Sequence, residues 1–195
     1  MKKRIVVVAM TGASGAVYGE AALRILRDRK DVETHLVMSD AARRTIAHEL
    51  DATPADLEDL ADVVHDVRDV GAAPASGSFP AAGMLVAPCS IRTLSAIAWC
   101  NADNLITRTA DVMLKERRPL VLMVRESPLH LGHLRAMTAA TEAGAVVAPP
   151  VPAFYSLPTD LAEMVDQTVR RSLALLGMDG SGIHVWRGTE DLEND

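Results

Sequence analysis

Ile5-Val6-Val7-Val8-Ala9-Met10-Thr11-Gly12-Ala13-Ser14-Gly15 is the stretch that decides the fold class. From Ile5 to Met10 it is a continuous apolar run rich in β-branched residues, the pattern of a central parallel strand buried on both faces. A turn of small residues follows, and then a helical stretch from Ala16 to Arg29, in which Val17, Ala21, Leu23, Ile25 and Leu26 alternate with charges at helical spacing. Strand, tight turn and helix in this order open an α/β unit.

The same alternation continues along the chain. Thr34 to Met38 reads as a second strand, and Ser39 caps a helix that begins at Asp40 and runs to about Leu50. Thr53-Pro54 opens a short helix that ends before Val63-Val64-His65, and Gly71 to Pro80 is a loop of small residues. Further strands are expected over Met84–Ala87, stopping at Pro88, then over Leu120–Val124 and Ala145–Ala148. Helices are expected over Ser90–Trp99, Asn104–Arg117 and Leu131–Ala143, with a last one over Thr159–Leu176 after the proline-rich loop Pro149–Pro158. This predicts one doubly wound, mostly parallel sheet in a Rossmann-like or flavodoxin-like three-layer sandwich over residues 1–178, followed by a mobile acidic tail over 179–195.

Composition agrees. The 195 residues are 49% apolar but only 3% aromatic, so the core must be built from aliphatic side chains, Met and Ala. With 20 basic against 26 acidic residues the net charge is −6 and no basic patch stands out, which argues against a nucleic-acid partner. No apolar stretch approaches membrane-span length, and the run after Lys2-Lys3-Arg4 leads into TGASG instead of a cleavage site. With only Cys89 and Cys100 as cysteines, the expected compartment is the reducing cytoplasm.

In a doubly wound sheet, ligands bind beyond the carboxyl ends of the strands, near the switch in strand order. Here those ends are Thr11 to Gly15, Ser39, Pro88 to Thr93, and Arg125-Glu126. Three of the four place hydroxyls or small residues just before a helix, where free N–H groups and the helix dipole attract an anion. The TGASG turn taken alone could equally serve only close packing of helix on strand. It lacks the GK[ST] ending of a Walker loop and the GxGxxG spacing of a dinucleotide fingerprint, so a mononucleotide is favoured over NAD.

Other candidates carry plain alternatives. Arg108 and Lys115 share a helix face, but Asp111 between them allows a solvated charge ladder. Glu126 follows a buried strand, where desolvation would make it a proton donor, or it pairs with Arg125 or a lysine. His130 and His133 are too few for a zinc site, and Cys89 fits a small buried residue better than a nucleophile.

The sequence resembles the UbiX-like flavin prenyltransferases, a family of homo-oligomeric flavin-binding proteins. The resemblance runs from Arg4 to about Gly177, through MTGASGAVYG, HLVMSDAAR, PASGSF, PCSIRTLSAIA, RTADVMLKERRPLVLMVRESPLHLGHL and GAVVAPPVPAFYSLP. It implies that reduced FMN binds at Gly12, Ala13, Ser14, Ser39, Ser90, Ile91, Arg92, Thr93 and Arg125. It further implies that Arg108, Lys115, Tyr155 and Arg171 hold dimethylallyl monophosphate, with Ser14, Glu49 and Glu126 near the reacting centre. The implied reaction is metal-independent. It joins the dimethylallyl carbon to flavin N5, closes a ring at C6, and supplies prenylated FMN to a UbiD-type decarboxylase. Three cations and a phenol suit a phosphate that departs to leave an allylic cation.

Phe154, Tyr155, Trp99 and Trp186 are candidates to line a prenyl pocket, with ordinary core packing as the alternative for each. Family members assemble as dodecamers with shared sites, which would put Tyr155 and Arg171 at a neighbour's pocket. Asp40 stands where many relatives carry Lys, affecting either phosphate contacts or the helix start. Two alternatives are an FMN-dependent decarboxylase of cysteine-derived substrates and a non-catalytic FMN module. PCSIRT, standing where the former enzymes have an Asn-bearing PASANT, counts against the first.

Overall fold

β1 (Arg4–Met10) lies at the centre of the sheet, and from Val6 to Met10 it has no measurable exposure. A computed structural model describes residues 3–186 and 188 of the chain. Its six strands run β3-β2-β1-β4-β5-β6, with β2 at Val32–Met38, β3 at Val63–His65, β4 at Ala81–Cys89, β5 at Leu120–Val124 and β6 at Val146–Val147. Every neighbouring pair is parallel. The chain winds outward from β1 to β3, returns to β4 beside β1, and winds outward again, so the switch point lies between the ends of β1 and β4.

Alternation along β1 explains the three layers. Val6, Val8 and Met10 face a core that also takes Leu23 and Leu26 of α1 (Ala16–Arg27), Ile46 of α2 (Asp40–Glu49), Leu57 of α3 (Pro54–Glu58), and Val165 and Val169 of α7 (Leu161–Ala174). Val7 and Ala9 face the other core, with Leu94 and Ile97 of α4 (Ile91–Ala98), Met113 of α5 (Leu105–Lys115), and Ala136 and Ala140 of α6 (Leu131–Glu142). Both cores are almost wholly aliphatic, as the scarcity of aromatics requires.

Most element boundaries follow their caps. Ser39, Ser90 and Asp160 each accept a first-turn amide, and Thr53 and Asn104 form capping boxes. Val63–His65, for which the sequence pattern names no element, is a strand because its backbone pairs with His35–Val37 although its side chains are only partly buried. One expectation is corrected. β4 does not stop at Pro88. It continues to Cys89, which pairs with Val124 after a register shift that absorbs the missing proline N–H.

Residues 179–186 of the acidic tail run along α7. Arg170 reaches the Ser181 carbonyl at 3.3 Å, while the Gln167 side chain bonds the Gly182 carbonyl and the His184 N–H, each at 2.9 Å. The tail from 189 onward lies outside the described residues. Among the described residues, no helix is long and apolar enough to cross a membrane.

Candidate functional site

The switch point is tied together by a residue the sequence reading did not single out. The buried Thr11 hydroxyl donates to the Pro88 carbonyl at 2.7 Å and accepts the Ser90 N–H at 2.8 Å, joining the ends of β1 and β4. Beyond them opens a cavity of about 590 Å3, lined by Thr11 and Gly12 of the turn, Ser39 and Arg44, Ser90 to Thr93 except Ile91, and Asn104 to Thr107 except Leu105. Its walls thus include the N-termini of α2, α4 and α5; α2 and α4 keep first-turn amides free to receive an anion, whereas those of α5 are taken by the Val67 carbonyl and the Asn104 side chain.

Two glycines shape the turn. A Cβ on Gly12 would overlap that of Ala41, so only glycine lets the turn sit this close to the start of α2. Gly15, with φ at +107°, is the N-cap of α1 and offers no side chain to its first amides. Glu49 supplies the missing acceptor from the end of α2, taking the Gly15 and Ala16 N–H groups at 2.8 and 2.9 Å. Partial burial works against the Glu49 charge, but the Ser14 hydroxyl, the two amides and nearby Arg125 outweigh it and hold the carboxyl below its ordinary range. The carboxylate is therefore fixed by the two amides that follow Ser14.

The predicted residues fall into three groups. Gly12, Ser39, Ser90, Arg92 and Thr93 line the cavity, and Ala13 and Ser14 continue the same turn. Ile91 packs against the core behind α4. Arg125 is anchored by its N–H to the Cys89 carbonyl at 3.1 Å, and its charge reaches Glu49 and Tyr18.

The second group lies on α5. Arg108 bonds the Ala75 carbonyl at 3.2 Å and Asp111 at 2.7 Å, whereas Lys115 pairs with Glu116. The charge ladder is only half formed, and both cations face the small-residue loop before β4. The third group, Tyr155 and Arg171, lines a separate cavity of about 130 Å3 beside α7. Tyr155 also lies near the rings of His184 and Trp186, with centroids 5.9 and 6.2 Å away.

Glu126 is exposed and accepts the Ser127 N–H at 3.0 Å, so within one chain it lacks the desolvation its place after a buried strand suggested. Its expected pairing with Arg125 or a lysine is not formed among the described residues. Burial pushes the Cys89 thiol up to about 12, against a weaker opposing contact with the Leu94 N–H, which makes it unreactive at neutral pH. Trp99, Phe154 and Trp186 are exposed and belong to no core. Arg44, Arg68 and Asp103, none of them singled out from the sequence, also line the main cavity.

The Flavoprotein family matches residues 1–168. Flavin prenyltransferase UbiX of Salmonella typhimurium strain LT2 is 59% identical over 171 residues, covering 88% of this chain and 90% of that protein. The chain belongs to the UbiX flavin prenyltransferase family. Two solved structures of UbiX-type proteins share its fold closely. That of AnUbiX in complex with FMN and dimethylallyl pyrophosphate superposes with a TM-score of 0.93 at 51% identity, covering 96% of this chain and 99% of that one. A dodecameric FMN-dependent UbiX-like decarboxylase from Escherichia coli O157:H7 gives 0.91 at 44% identity, covering 94% and 100%.

Proposed function

We propose that this chain joins the dimethylallyl group of dimethylallyl monophosphate to N5 and C6 of reduced FMN and passes the prenylated flavin to a UbiD-type decarboxylase. The observation that carries the reading is the cavity at the switch point, where three helix N-termini meet a turn with no room for a Cβ at Gly12. Its volume of about 590 Å3 lies within the usual range for small-molecule sites, and its hydroxyls and free amides suit a flavin bearing a phosphate. When bound, reduced FMN supplies the nucleophilic ring positions.

The chain's own residues do the rest. Gly12, Ala13, Ser39, Ser90, Arg92, Thr93 and Arg125 hold and orient the flavin, with Ile91, whose side chain packs on the core, offering only its main chain at the start of α4. Ser14, on the turn that the Glu49 carboxylate caps, would face its reacting edge. Arg108 and Lys115 grip the substrate phosphate and stabilise the charge that develops as it leaves. Glu126 moves the proton lost when the ring closes.

Tyr155 and Arg171 complete the phosphate grip of a neighbouring copy in a homododecamer. Their separation from the main cavity supports this, as do large exposed apolar side chains such as Trp99, Leu131, Phe154, Leu157 and Leu161, which an assembly would cover. The cysteine-decarboxylase alternative is not favoured, since residues 88–93 read Pro-Cys-Ser-Ile-Arg-Thr.

The test is anaerobic incubation with reduced FMN and either dimethylallyl monophosphate or diphosphate, followed by mass spectrometry of the extracted flavin. A flavin heavier by one prenyl group is expected from the monophosphate, and the diphosphate arm reads which phosphate the site prefers. Unmodified FMN recovered from folded, flavin-loaded protein would sink the proposal.

A further inference from the structure

On one wall of the main cavity, a carboxylate stands among three cations and pairs with one of them. Arg68, from the segment after β3, and Arg44, in α2, both line the wall. Arg43 lines an adjoining recess of about 340 Å3, which shares Asp40, Val67 and Arg68 with the cavity. Asp40 sits between them as the first residue of α2, and Arg68 Nη2 reaches its Oδ2 at 3.0 Å. Arg68 first, and then Arg44 and Arg43, hold the Asp40 carboxyl below its ordinary range, so it is charged at neutral pH. Arg43 is already engaged by Glu58 at 2.6 Å. On the opposite wall, Arg92 is largely exposed and pairs loosely with Asp103 at 3.6 Å.

A dianionic phosphate entering this cavity is drawn to the Arg44 and Arg68 side, where two cations stand beside a helix N-terminus. Asp40 exploits the same field, because its carboxylate lies on the first turn of that helix and occupies Arg68. The pair is exposed and therefore weak, so a phosphate can displace it. We propose that Asp40 is a resident competitor of the flavin phosphate, occupying Arg68 and loosening the hold on FMN and its prenylated product so that the product can leave. This rests on the flavin-binding reading above. An enzyme whose product is another protein's cofactor gains nothing from an anchor it cannot release.

The test compares wild type with Asp40→Asn, and with Asp40→Ser as a second uncharged variant suited to a helix start. Flavin fluorescence reports binding of FMN and of riboflavin, which lacks the phosphate, over a salt series. Both variants should bind FMN about five- to tenfold more tightly, leave riboflavin unchanged, and show a steeper loss of FMN affinity with salt. Stopped-flow release of prenylated FMN should slow by a similar factor, and adding Arg68→Ala should abolish the gain. Unchanged or weaker FMN binding in the Asp40 variants, or an equal gain for riboflavin, would overturn the proposal. Wild-type protein that binds neither flavin would remove the flavin reading itself.

Discussion

Glu49 Oε2 accepts the Gly15 N–H at 2.8 Å, so the last residue of α2 caps the first turn of α1. The turn that presents Ser14 is thereby locked to a second helix. Glu49→Ala should cost about 1 kcal/mol in urea denaturation, as loss of a helix cap does, and should also slow prenylation. Glu49→Gln keeps an acceptor but not the charge. Because the folded Glu49 pKa lies below its ordinary value of 4.5, its stabilisation is present above that value and lost as pH falls through the lower folded one. Acid titration of stability should therefore be shallower in Glu49→Gln, and an unchanged slope would count against this role.

Gly12→Ala drives a methyl group into Ala41 at the cavity wall. Overpacking of this kind costs about 1–3 kcal/mol, and here the strain falls on the turn and the start of α2 together. Thermal melting should drop and FMN titration should weaken markedly. A variant that melts lower yet binds FMN normally would separate the turn from the site.

Thr11→Val keeps the shape of the side chain but leaves the Ser90 N–H without its acceptor. The Pro88 carbonyl retains the Thr11 N–H at 3.2 Å, so the loss concentrates on one donor and should cost about 1–3 kcal/mol. Thr11→Ser, which restores the hydroxyl, should recover most of it. Chemical denaturation of the three proteins decides the matter.

His65 links the edge strand to the sheet. Its Nε2 lies 2.9 Å from His35 Nδ1, whose other ring nitrogen lies 2.9 Å from Glu33. Burial first, and His35 second, hold the His65 pKa below 6.5, with Asp69 opposing. The unfolded chain then binds more protons just below that pH, so stability should fall as pH drops from about 6.5 towards the folded value. His65→Gln should flatten this part of the melting profile, and an identical profile would exclude His65 as its source.

The buried strands and several helix starts were legible because each is written in local chemistry: a β-branched run for β1, an apolar run for β5, and Ser39 and Thr53-Pro54 for α2 and α3, whereas the cap of α7 is Asp160, one residue past the expected start at Thr159. β3 was not, since three half-buried residues become a strand only through backbone pairing with β2. Gly12, Ser39, Ser90, Arg92 and Thr93, which line the cavity, were readable as strand ends. The tie that Thr11 makes to Pro88 and Ser90, and the places of Arg68 and Arg44, escaped notice because they depend on partners distant in sequence, as Arg68 does on Asp40. Position after a buried strand misled for Glu126, which lies past the point where the sheet gives cover.

The loop before β4 grips α5 and the segment after it with carbonyl oxygens: Ala75 holds Arg108, Gly77 holds Arg118 at 2.7 Å, and Phe79 adds a further contact to Arg118. Carbonyls are common to all residues, so these grips specify where each peptide unit sits and say little about which side chain it bears. The loop works as a ruler: single substitutions that respect its tight packing at Gly77 should be absorbed, whereas inserting or deleting one residue would displace the oxygens and retune how the Arg108 guanidinium is aimed.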